Sequence, residues 1–270
     1  MKPLIATTNF SASSANAAKY AANMALVIHA DLYLLHVMPI SGSGLDMPLT
    51  KELFNEMRQA DEMELEKLQL ELQKQTEGRL NIYIAFKIGS FENELEEYCK
   101  LKNPFAVVMG IKKSSAERFL FGSNTMFAIQ HLHYPLLMIP DDSNFHTISK
   151  IVIAYDLADA NETIPIDYLR ELQRIFHASV SVLNVGPKMI EDLKSNNEFN
   201  SLKDLLRDLS PHFYFGIADT VEDGINKFLE ENGADILLLL PKRHGFFEFH
   251  KSHTKKILLN SHVPIVSIHE

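Results

Sequence analysis

The chain has 270 residues, 46% hydrophobic and 23% charged, a balance that excludes a disordered chain and leaves room for two ordinary domains or one large one. The net charge of −9 is shared evenly: a cut near residue 146 leaves −4 before it and −5 after, with no basic stripe for a nucleic-acid backbone. One cysteine, Cys99, excludes an internal disulfide and a thiolate metal cluster.

The N-terminus, MKPLIATTNFS, runs straight into a strand pattern and lacks the long apolar core of a signal peptide. No apolar run approaches the ~20 residues of a membrane span. The expectation is a cytoplasmic protein.

Leu4 to Thr8 is short, apolar and β-prone. Ser11 can cap the alanine-rich helix that follows, where Ala17, Tyr20, Ala21, Met24 and Ala25 recur at helical spacing. Leu32 to Val37 reads as a second strand. A loop with Gly42, Gly44 and Pro48 leads to a long charged helix, Lys51 to Gln75, whose apolar positions include Leu53, Met57, Met63, Leu65, Leu68 and Leu72. It exceeds what one small sheet needs to cover it, a hint of an interface. Asn81 to Ile88 is a third strand, Glu92 to Leu101 a helix, and Phe105 to Met109 a fourth strand. Cys99 falls on that helix, at a half-buried position by pattern. The loop GIKKSSAERFLFGSNT, Gly110 to Thr125, opens another helix, and Leu136 to Ile139 is a fifth strand. Strands alternating with helices predict a parallel sheet covered on both faces.

The order then repeats. Lys150 to Asp156 (KIVIAYD) reads like Pro3 to Asn9 (PLIATTN), and ASVSVLNV from Ala178 echoes ADLYLLHV from Ala30. Asp235 to Leu240 matches the fourth strand, and Pro264 falls on Pro135. The polar stretch Asp141 to His146 marks the break, so two α/β domains are expected over residues 1–142 and 148–270.

With TTNFSASSANAAKYAANMA, ADLYLLHV and the loop closing in Gly122-Ser123, the chain resembles a tandem universal stress protein over nearly its whole length. The resemblance implies, for each repeat, an open five-stranded parallel sheet of order 3-2-1-4-5. It further implies a cytoplasmic stress-response protein that acts by binding, with an unnamed protein partner and a homodimer of tandem chains as expected associations. Pairing of the fifth strands, Leu136 to Ile139 with Pro264 to Ile268, is another expectation of this kind.

Some family members bind ATP through a G-x2-G-x9-G-[ST] loop after strand four; others lack it and bind none. Ligands of such sheets sit beyond the strand ends where strand order reverses, between strands one and four. Glycines let the backbone approach phosphate oxygens there, and the next helix offers free N–H groups. Carried over by resemblance, Thr7 and Asn9 lie opposite the loop, Asn9 at the place of an acidic residue near the base, and Val37 supplies backbone contacts to adenine. Gly110, Gly122, Ser123 and Asn124 face the phosphates, Lys112 adds charge, and Met109 is counted among the cofactor-binding residues. Three departures are visible. Lys113 stands at the middle glycine, the span from Gly110 to Gly122 is one residue short, and Asn9 replaces an aspartate. Weak ATP binding in the first repeat alone follows. The competing reading is a plain strand-to-helix turn with Ser123 as N-cap.

In the second repeat Leu240 and Lys251 occupy the first and last glycine positions, and Phe246, Phe247 and Phe249 crowd the loop, although Asp156 keeps the strand-one acid. No nucleotide is expected there. His244, His250, His253, His262 and His269 fit no standard zinc spacing, so no metal is expected. No nucleophile elbow, Walker loop or paired catalytic carboxylates occur. A slow ATPase or nucleotide-dependent transferase on the same scaffold remains the alternative to a binding protein.

Overall fold

A computed structural model describes residues 1–39, 50–112, 123–157, 164–186, 196–240 and 262–268. They fall into two compact units, the first ending at Phe145 and the second beginning at His146. The first runs β1 (Leu4–Thr7), α1 (Ala12–Ile28), β2 (Leu32–Met38), α2 (Lys51–Gln75), β3 (Ile82–Ile88), α3 (Phe91–Lys102), β4 (Ala106–Ile111), α4 (Ser123–His131) and β5 (Leu136–Pro140). Its strands are all parallel, in the order β3-β2-β1-β4-β5. Helix α1 touches α2 and α3 touches α4, so both faces are covered, and the central strands are correspondingly almost wholly apolar. Every residue of β1 is buried, as are Val107, Val108 and the whole of β5.

The second unit repeats the plan with β6 (Lys150–Ala154), α5 (Ile166–Phe176), β7 (Ser179–Gly186), α6 (Asn197–Leu205), β8 (His212–Ile217), α7 (Val221–Asn232), β9 (Ile236–Leu239) and β10 (Ile265–Ser267). Its parallel pairs give β10-β9-β6-β7-β8. Counted within each unit, both sheets have the order 3-2-1-4-5, as the sequence leads one to expect. Asp235 fastens the start of this sheet: its carboxylate accepts from Ser149 N at 2.6 Å, Ser149 Oγ at 2.8 Å, Lys150 N at 2.9 Å and His146 Nε2 at 2.7 Å.

Helix α1 lies unusually close to its sheet. Ser11 caps it, its Oγ accepting from Ser14 N at 3.3 Å. Ala17, Ala18, Ala21, Ala22 and Ala25 are fully buried along its inner face, and such small side chains let the helix axis approach the strands. At Gly110 the approach is closest. A Cβ added there would stand 2.2 Å from the Ser13 carbonyl oxygen and 2.8 Å from Ser14 N.

Three sequence expectations need correction. Gly110 and Ile111 belong to β4, paired with Ile139 and Pro140, and not to the loop. Ser123 is the first residue of α4, one position inside where an N-cap would sit. Cys99 is fully buried, not half-buried. Helix α2 has the expected bounds, but its apolar positions divide: Leu65, Leu68 and Leu72 are buried, while Leu53, Met57 and Met63 are exposed. Among the described residues no helix is long and apolar enough to cross a membrane.

Candidate functional site

The strand order of the first unit reverses between β1 and β4, and a cleft of about 390 Å³ opens beyond the carboxyl ends of those strands. That volume falls within the range of small-molecule sites. Four elements build its walls. The end of β1 and the turn after it supply Thr7, Thr8 and Asn9. The first turn of α1 supplies Ser11, Ser13 and Ser14. The end of β4 supplies Met109, Gly110, Ile111 and Lys112, and the start of α4 supplies Ser123, Asn124 and Thr125. Val37 on β2 and Phe91, the first residue of α3, complete the lining.

The β1–α1 turn is tightly specified. Phe10 has φ of 63°, a left-handed conformation that costs a bulky residue free energy unless its surroundings hold it. Its amide donates to Thr8 Oγ1 at 3.0 Å, and the Ser11 amide donates to Asn9 Oδ1 at 3.2 Å. Thr8 Oγ1 and Ser14 Oγ lie 3.2 Å apart and share a hydrogen bond, so strand end and helix start are stitched across the turn. Gly110 permits this arrangement. Because it has no side chain, Ser13 and Ser14 can press against β4 and stand at the cleft wall.

The lining is chemically divided. Val37, Phe91, Met109 and Ile111 offer apolar surface, whereas the two serine- and threonine-bearing helix starts and Asn9 offer hydroxyls and amides. Lys112, exposed, is the one ionisable side chain among the described lining residues. Ser123, Asn124 and Thr125 at the start of α4 stand at the cleft wall, and amides at a helix start carry a partial positive charge.

Of the nine residues assigned from sequence, Thr7, Asn9, Val37, Met109, Gly110, Lys112, Ser123 and Asn124 line this cleft. Gly122 lies outside the described residues, as do Lys113 and the second-repeat loop through Thr254. The sequence assignment left out Thr8, Ser11, Ser13, Ser14, Phe91, Ile111 and Thr125. The serines were legible: any helix that begins at the reversal point turns its first residues toward the same crevice. Phe91 carried no such signal. Of the histidines weighed as metal ligands, His262 alone is described, and it is exposed. Among the described residues no group of three His, Cys, Asp or Glu side chains could hold a metal.

A model of the universal stress protein family matches residues 1–140, which span this whole unit and every wall of the cleft. The chain belongs to that family. Over 140 residues it is 29% identical to a universal stress protein of Methanocaldococcus jannaschii, a match that covers 51% of this chain and 81% of the relative. The fold of a universal stress protein from Archaeoglobus fulgidus superposes with a TM-score of 0.73 at 16% identity, covering 99% of this chain and 98% of that one. At that identity the likeness is one of fold. It extends over both units, so this universal stress protein shares its tandem layout with that solved structure.

Proposed function

We propose that the first unit binds an adenine nucleotide in this cleft, weakly, and that the protein acts in the cytoplasm as a stress-response regulator by binding and not by turnover. One observation carries the reading: residues assigned to a nucleotide from sequence converge on one cleft at the strand-reversal point. The division of the walls suits the ligand. An adenine ring fits between Val37, Met109 and Phe91, and phosphate oxygens fit against Lys112 and the first-turn amides of α4. Hydrolysis or group transfer needs a base near the reacting phosphate. Among the described lining residues there is no carboxylate, imidazole or thiol, which favours a binding protein over a slow ATPase or transferase.

Titration calorimetry with ATP and magnesium tests this reading. One weak site per chain is expected. Lys112→Ala should weaken it about tenfold, the worth of one charge-assisted hydrogen bond. Gly122→Val should abolish it and Asp156→Ala should leave it intact. Two sites per chain, or loss of binding on changing Asp156 alone, refutes the one-site assignment. No heat and no competition at millimolar ATP refutes the nucleotide reading itself.

A further inference from the structure

The two repeats fasten the end of their first strand in the same way. In the first unit His36, on β2, donates from Nδ1 to the Thr8 carbonyl at 2.8 Å. In the second unit the matching position on β7 is Asn184, whose Nδ2 donates at 3.0 Å to the carbonyl of Tyr155, the residue that matches Thr8. The neighbouring backbone bonds also correspond: Thr8 N to Leu35 O and Tyr155 N to Leu183 O, both 2.9 Å. An imidazole and an amide can exchange in this role because each presents one N–H at the same reach.

Each repeat then extends the connection to a carboxylate on the helix between its second and third strands. His36 Nε2 meets Asp61 Oδ2 of α2 at 3.2 Å, and Tyr155 OH donates to Glu198 Oε1 of α6 at 2.6 Å. The side chains differ, and the tie starts from β2 in the first unit and from the residue after β6 in the second, yet both end on the helix between the second and third strands. A link rebuilt from different chemistry points to the link itself as the feature being kept.

We infer that His36 is a positioning residue that couples the nucleotide cleft to helix α2. The ring is buried and holds three things at once. Phe10, left-handed and next to Asn9 of the cleft wall, packs tilted against it with ring centroids 4.4 Å apart; Phe86 of β3 lies at 5.6 Å; and its two nitrogens face pure acceptors, the Thr8 carbonyl and the Asp61 carboxylate. Moving the ring therefore moves the turn that carries Thr8, Asn9 and Phe10. On the helix side, no residue from Lys51 to Ala60 is buried, and Asp61 precedes the first buried position, Leu65. The His36–Asp61 contact is thus placed where the overhanging half of α2 meets the sheet. Ligand that tightens the turn seats this part of α2, and a partner that levers α2 loosens the turn. Such coupling is reciprocal by thermodynamic necessity. The inference rests on the nucleotide reading of the cleft only for the identity of the ligand.

A double-mutant cycle with Asp61→Ala and His36→Asn tests it, because asparagine keeps the donor to the Thr8 carbonyl, as Asn184 does, and drops the tie to Asp61. The first readout needs no ligand: amide hydrogen exchange at Phe10, Ser11 and Ser14, each of which donates within the turn. Asp61→Ala should speed exchange there about fivefold in the wild-type background and leave it unchanged in the His36→Asn background. The second readout is the dissociation constant for ATP with magnesium, which should show the same dependence on background. Equal effects of Asp61→Ala in both backgrounds, or no effect on the turn at all, overturn the coupling. If ATP does not bind the wild type, the nucleotide reading falls and the exchange cycle alone decides the coupling.

Discussion

A methyl group placed on Gly110 forces the first turn of α1 away from β4. The added Cβ would lie 2.2 Å from Ser13 O and 2.4 Å from Ser13 C, both backbone atoms, so no rotamer change relieves the contact. Separations below 3.0 Å are essentially never found for real Cβ atoms, and the helix start must retreat by roughly the difference, close to 1 Å. Overpacking of this kind costs about 1–3 kcal/mol. The retreat also stretches the Thr8–Ser14 hydrogen bond, worth about 1 kcal/mol more. Gly110→Ala should therefore destabilise the first unit by about 2–4 kcal/mol and lower its melting temperature by roughly 5–12 °C. Because the chain folds as two compact units, urea denaturation should be paired with hydrogen exchange of the β4 amides, which reports on the first unit. The variant should also bind ATP less tightly at temperatures where it remains folded, since Ser13 and Ser14 leave the cleft wall. A variant within about 0.5 kcal/mol of wild type would show that the seat of α1 does not depend on the missing side chain, and that Ser13 and Ser14 do not owe their place at the cleft wall to Gly110.

Asp235 should make the second unit acid-labile. Burial pushes its carboxyl pKa up, but hydrogen bonds from Ser149 N and Oγ, His146 and Lys150 N outweigh that and hold it below the usual carboxylate value. A depressed folded-state pKa contributes stability that is present above the ordinary aspartate range and is lost as pH falls through the folded value. Asp235→Asn should thus cost about 1 kcal/mol at pH 7, allowing for solvent screening, and should flatten the acid limb of the stability profile; an unchanged limb in denaturant titrations at pH 7 and pH 3 would contradict this. Cys99 should be inert in the native protein, because burial and then the neighbouring Glu96 charge push its thiol up to about 12. Maleimide at pH 8 should label it only after denaturation, and stoichiometric labelling of the folded chain within minutes would disprove the packing of α3.

Legibility in the sequence followed the strength of the local signal. The bounds of α2 could be read because the helical pattern is long and contains neither glycine nor proline; the structure adds the cap, Thr50 Oγ1 accepting from Leu53 N at 3.2 Å. The exposure of Leu53, Met57 and Met63 could not. Periodicity reports a helical face, not how much of that face a sheet can cover. A helix of 25 residues is about 37 Å long, whereas β2 and β3, with seven residues each, span about 23 Å, so the N-terminal half overhangs. Gly110 was assigned to a loop because glycine is the usual mark of a turn, and nothing local reveals that a helix start lies against it. Phe91 enters the cleft through the connection from β3 to α3, a placement set by topology and not by any motif near it in the chain.

The two repeats differ in the connections around their first strands. In the first unit four residues separate β1 from α1, so the helix starts hard against the sheet, and β4 must carry glycine near its end to admit it. In the second unit eleven residues separate β6 from α5. With that longer connection the helix is not compelled to begin at the strand end, and Leu240 stands where Gly110 does in the first repeat. In the first unit the tight turn and the glycine are therefore one device, whereas the second repeat has leucine at the glycine position and a connection more than twice as long. What that repeat keeps is the side-chain donor to the strand-end carbonyl and the tie to a helix carboxylate, through Asn184, Tyr155 and Glu198. Placing glycine at position 240 alone should accordingly create no second ATP site, because it leaves the eleven-residue connection between β6 and α5 as long as before. Calorimetry on Leu240→Gly that returned two sites per chain would show that the glycine suffices without the tight turn, and the two would not be one device.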